Sequence, residues 1–102
     1  MKVEFLEPAQ TELDQAFEWY ETQQENLGLQ FLSEFDAAIR RIAAFPEAYV
    51  LIEKEVRRCL IKRFPYGVLY GLDTDKIIVI AVAHLHRKPD YWIARIKPTQ
   101  SQ

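Results

Sequence analysis

Thiols, glycine and long apolar runs are all scarce in this sequence, and each scarcity closes a class of answers. The single cysteine, Cys59, has no partner for an internal disulfide and cannot by itself anchor a thiolate zinc site. Three glycines and five prolines leave no room for a collagen-like repeat or a flexible linker. No apolar run approaches the ~20 residues of a membrane span, and Glu4 interrupts the opening Val3 to Leu6, so a signal peptide is not expected. These absences imply a cytoplasmic chain with no membrane contact. Phosphate-cradling glycine loops, nucleophile elbows and paired-carboxylate spacings are missing as well. What is there is 102 residues, 49% apolar and 27% charged, the make-up of one globular domain. It is expected over residues 1–97, with 98–102 as a flexible tail.

Thirteen bases against fifteen acids give a formal charge of −2, which on its face argues against a charged partner. The distribution says otherwise. Residues 1–56 hold four bases and twelve acids, a net of −8, whereas residues 57–102 hold nine bases and three acids, a net of +6. The second half is therefore the candidate working surface, facing an acidic or anionic partner.

Val3 to Leu6 reads as a short strand that Glu7-Pro8 stops, Pro8 being suited to a first helical position. Ala9, Leu13, Ala16, Phe17 and Tyr20 then recur at helical spacing up to a turn around Asn26 to Gly28. A second helix carries Leu32, Phe35, Ile39 and Ile42, and Pro46 ends it; Phe31, Phe35 and Phe45 are assigned to the core. Beyond Pro46 the period changes. Val56 to Phe64, Val68 to Leu72 and Ile77 to Ala83 read as strands, with a polar turn over 73–76 and a last short strand within Tyr91 to Ile96. The order predicts an α+β fold: an N-terminal strand, then an antiparallel helical hairpin packed on one face of a mainly antiparallel sheet.

Three groups of residues could carry chemistry. His84 and His86 stand two apart at the end of the most apolar strand, as a general acid/base pair or two metal ligands would; with no third ligand at suitable spacing, ordinary hydrogen bonding is the simpler reading and no metal or cofactor is expected. Arg87 and Lys88, beside Tyr91 and Trp92, suit phosphate binding with stacking or the clamping of an acidic peptide; alternatively the loop is solvated and Tyr91 and Trp92 fold back to seal the sheet. Arg57, Arg58, Lys62 and Arg63 form a second basic group, in which alternation puts Arg57 and Arg63 on one face and Arg58 and Lys62 on the other. Cys59, in their midst, is read as a buried, inert thiol.

These stretches carry a resemblance. Arg57 to Tyr70, with its Phe64-Pro65-Tyr66 phrase and Tyr70, together with His84, Arg87, Pro89, Tyr91 and Trp92, resembles the RelE/ParE superfamily of bacterial type II toxins, most closely the ParE or plasmid-stabilisation branch. The resemblance implies a toxin that inhibits DNA gyrase and is neutralised by a cognate antitoxin whose C-terminal segment wraps it. Arg57, Arg58, Lys62, Arg63, Arg87, Lys88 and Trp92 would be the partner-binding residues. The RelE-like alternative is a metal-free, ribosome-dependent mRNA endoribonuclease with Arg58, His84, His86, Arg87 and Tyr91 around the phosphate; only there is direct nucleic-acid binding expected. At four positions where RelE-like members are expected to carry cations this chain has Arg58, Leu60, Gly67 and Leu85, so three of the four charges are gone. A third possibility is a non-toxic relative that only binds an antitoxin.

Overall fold

The computed structural model describes residues 1–96, so the expected tail lies outside the described residues. Strand β1 (Lys2–Phe5) gives way to helix α1 (Glu7–Gln23), which has proline in its first turn and buries Ala9, Leu13 and Ala16. Helix α2 (Leu27–Ala44) follows so closely that Gly28, expected in the connection, is already helical. The turn is made at Asn26, whose φ of 71° is left-handed. Its side chain does not cap α2; instead the Glu21 carboxylate of α1 accepts the N–H groups of Asn26 (3.0 Å) and Gly28 (2.9 Å). Phe31 and Phe35 enter the core as expected. Phe45 does not: it is the residue at which the backbone leaves α2 before Pro46, and 68% of it is exposed.

Four more strands complete the sheet: β2 (Val50–Glu53), β3 (Val56–Leu60), β4 (Tyr66–Asp73) and β5 (Lys76–His84). They lie in the order β1-β5-β4-β3-β2, with β1 parallel to β5 and every other pairing antiparallel. The expected α+β architecture is thus what the chain adopts. β2, which was not assigned from the sequence, is a short edge strand built from the Val50-Leu51-Ile52 run.

Two strand assignments are corrected. The run from Val56 does not reach Phe64: β3 ends at Leu60, Arg63 turns with φ 73°, and Ile61 N–H bonds to the Tyr66 carbonyl to close the connection. Arg63 therefore does not share a strand face with Arg57. Nor is there a strand within Tyr91 to Ile96; turns lead into one 3-10 turn, Ile93–Arg95. β1 covers the outer edge of β5 only as far as Val79, and beyond it the edge is taken by side chains, Glu12 at the Val82 N–H and Arg95 at the Ile80 carbonyl, in place of a strand.

A bulge in β5 explains why its sequence is apolar without alternation. Leu69 pairs with Ala81 and Tyr70 with Val79, so Ile80 has no partner and the facing of the strand shifts by one residue there. Ile77, Val79 and Val82 join the core under the helices, while Ile80 and Ala81 join a second cluster on the far face with Val56, Leu69 and Trp92. That second cluster is roofed by the segment after β5, through Tyr91, Ile93 and Ile96.

Candidate functional site

The segment after β5 is held in place by one carboxylate. Glu12 of α1 accepts two hydrogen bonds from the Arg95 guanidinium (2.9 and 2.8 Å), one from the Tyr91 hydroxyl (2.8 Å) and one from the Val82 backbone N–H (3.0 Å), with Arg87 at 3.4 Å. Its side chain is only 9% exposed. Burial pushes this carboxyl up, but the bonds from Arg95, Tyr91 and Val82 outweigh it and hold Glu12 below the ordinary carboxylate value. Arg95 also donates to the Ile80 carbonyl at 3.0 Å. β1 stops pairing at Phe5 and Val79, so beyond that point the free edge of β5 is satisfied by side chains instead of a strand.

Tyr91 is consumed by this cluster. Burial, then its bond to Glu12, raises its hydroxyl far above the usual phenol range, and the Arg87 guanidinium lies 3.7 Å from its ring centroid. Trp92 is 2% exposed and donates its indole N–H to the Pro89 carbonyl at 2.9 Å, so it seals the sheet and meets the surface as part of a cleft wall.

A cleft of about 280 Å³ opens on the sheet face away from the helices, between the ends of β3, β4 and β5 and the loop that follows β5. It gathers Arg58, His84, Arg87, Lys88 and Tyr91, with apolar wall from Leu69, Ala83, Leu85, Pro89 and Trp92 and acids at Glu53 and Asp90. Arg58, Arg87 and Tyr91 of the RelE-like set border the cleft with the His84 backbone position, but the His84 ring lies on the helix side against Tyr66, and His86 is not in its wall. β5 ends at His84, and the two histidines stay close by a turn: His86 N–H donates to His84 Nδ1 (3.1 Å), with ring centroids 5.1 Å apart. The His84 ring packs edge-on to Tyr66 at 5.1 Å. Among the described residues no group of three or more His, Cys, Asp or Glu is gathered as a metal centre requires.

The other basic residues separate. Arg57 points to the helix side and donates to the carbonyls of Glu47 (3.1 Å) and Tyr49 (2.7 Å), tying down the loop before β2. Arg63 reaches back to α2, donating to Gln30 (3.0 Å) with Glu34 at 3.7 Å. Lys62 lies in the turn beyond β3. Cys59 is buried; desolvation raises its thiol and Arg41 only partly offsets that, which agrees with an inert residue.

Apolar residues stand beside Arg58 at the positions that resemblance to RelE would fill with cations. Leu60 and Leu85 are 49% and 43% exposed, and Gly67 opposite Leu60 is the bed for the arginine stem, a Cβ there falling 3.0 Å from Arg58 Cγ. The positions at which RelE-like members are expected to carry four cations are therefore neighbours here, presenting one cation among leucines.

Sequence reasoning missed Glu12 and Arg95. The signal for Glu12 was present: it lies at helical spacing with Ala9, Leu13 and Ala16, a carboxylate inside an apolar stripe.

The fold is shared with a toxin–antitoxin protein. A solved structure described as the chromosomal ParDE TA system from P. aeruginosa superposes with a TM-score of 0.73 at 16% identity, covering 84% of this chain and 97% of that one. The family follows from the sequence itself: the family model for the ParE toxin of the type II toxin–antitoxin system, parDE, matches residues 3–89, and the chain belongs to that family. None of the curated proteins matches it. No helix among the described residues is long and apolar enough to cross a membrane.

Proposed function

We propose that this chain is a ParE-type toxin that acts by binding DNA gyrase and is neutralised by a cognate antitoxin. The observation that carries the reading is the patch at Arg58, where Leu60, Gly67 and Leu85 stand in place of cations. Cleaving RNA without a metal needs groups that move a proton and neutralise charge building at the phosphate. One arginine among exposed leucines suits a protein surface better. Tyr91 points the same way, since its hydroxyl is already given to Glu12. The cations Arg58, Lys62, Arg87 and Lys88 around this patch fit an acidic segment of an antitoxin as well as an acidic face of the target.

Adding the purified protein to a gyrase supercoiling reaction is expected to inhibit it, and expression without antitoxin is expected to leave mRNA intact while DNA damage accumulates. Supercoiling that persists at every toxin concentration would overturn the proposal. Cleaved mRNA with intact supercoiling would establish the ribonuclease instead, and the absence of any growth defect would mark an antitoxin-binding relative.

A further inference from the structure

We infer that the cleft behind Arg58 is a carboxylate-recognition subsite, which takes an Asp or Glu side chain flanked by apolar residues from a protein partner. This rests on the reading of the chain as one that works by binding protein. Five arginines lie between residues 57 and 95. Arg57 is bound to backbone carbonyls, Arg63 to α2, and Arg87 and Arg95 to Glu12. Arg58 makes no hydrogen bond or ion pair with any described residue, and its Nε is buried without an acceptor. An unmet buried N–H is costly to leave, and a guanidinium is best met by the two oxygens of one planar oxyanion. The stem is held over Gly67, where a Cβ would press on Arg58 Cγ at 3.0 Å and Cδ at 3.2 Å, so the missing side chain is what lets the arginine lie in this position.

A phosphate on a nucleic acid is also an oxyanion, but the surroundings favour the peptide. Nucleic-acid recognition in a groove of this kind relies on exposed rings for stacking, and here the Trp92 ring is buried while a face of Tyr91 is covered by Arg87. Glu53 and Asp90 on the rim repel any anion, and a run of phosphates, each charged, more than a single carboxylate. The volume, about 280 Å³, and the walls of Leu69, Ala83, Pro89 and Trp92 suit a side chain with its apolar neighbours.

The experiment titrates the 15N-labelled full chain with the blocked pentapeptide Ac-Ala-Leu-Glu-Leu-Ala-NH2, with its Gln counterpart, with inorganic phosphate and with a single-stranded decamer RNA. The Arg58 Nε–H and Trp92 indole N–H resonances are followed. The Glu peptide should shift both saturably and bind roughly tenfold tighter than the Gln peptide, the usual worth of a charge-assisted pair. Arg58→Gln should abolish that preference, and Gly67→Ala, which displaces the arginine while keeping its charge, should reduce it. Equal binding of the two peptides, or a preference that survives Arg58→Gln, overturns the subsite. Phosphate or RNA shifting the same resonances at lower concentration than the Glu peptide also overturns it, assigning the cleft to phosphate alone or to a nucleic acid. Gyrase inhibition without Glu preference refutes the subsite only, and Glu preference without inhibition refutes the gyrase target only.

Discussion

Glu12 decides how the far face of the sheet is closed. Replacing it by Gln leaves the Arg95 charge, 16% exposed, without its counter-ion, and breaking a pair this enclosed costs about 3 kcal/mol. Urea unfolding at neutral pH should show that loss. The pH dependence has a definite sign: the folded-state value lies below the ordinary 4.5, so the contribution of Glu12 is complete above 4.5 and is lost as pH falls through the folded value. Wild type and Glu12→Gln should therefore converge in stability on acidification; a gap that stays constant down to strongly acid pH would contradict the assignment. This residue also shows where the sequence stopped being legible. A charge in an apolar stripe announces a buried partner, but Arg95, 83 positions away, is named only once β5 and the following turns are in place. Arg57 and Arg58 show the same limit, because neighbours of identical chemistry take opposite faces and only one finds carbonyls to bind. Trp92 was more legible, since a large ring after a strand has one economical place to go, over the sheet.

The helical hairpin and the long strands were readable because their apolar spacing is set by the burial they achieve: Ala9, Leu13 and Ala16 on α1, Phe31, Phe35 and Ile42 on α2, and both faces of β5. The ends were less so. Gly28 looks like a helix breaker, yet it is present for closeness: a Cβ would sit 2.6 Å from the Phe17 carbonyl oxygen and 2.8 Å from the Phe17 ring. Gly28→Ala should force α1 and α2 apart and cost about 2 kcal/mol, a fall in Tm of roughly 8–16 °C for a domain of this size. A thermal melt unchanged by the substitution would show that the hairpin gives way freely. β2 escaped notice because four residues at an edge, broken by a register shift between Leu51 and Glu53, carry little periodic signal. The turns in Tyr91 to Ile96 were mistaken for a strand because their apolar residues, Tyr91, Trp92, Ile93 and Ile96, cover a sheet without joining it.

At the scale of the whole molecule the split of charge survives with one correction. The acidic half is mostly solvated cover, but through Glu12 it also reaches across to fix the basic half, and Arg57, Arg63 and Arg95 are spent on internal bonds. On the proposed function, the surface offered to a partner is smaller than the +6 total implies and centres on Arg58, Lys62, Arg87 and Lys88. The link from residue 12 to residue 95 also has a meaning in time. The chain must be synthesised as far as Arg95 before α1 meets its counter-charge, and β1 likewise waits for Lys76 to Val79 to gain its strand partner. Contacts of such separation close late, because the loop entropy must be met before they contribute. Glu12→Gln should therefore speed unfolding and leave refolding nearly unchanged, as stopped-flow traces across a urea series would reveal. If refolding slowed as much as stability fell, the link would belong to the nucleus. If it closes last, the segment behind Arg58 takes its shape only at the end of folding, and the cleft is the last part of the domain to be completed.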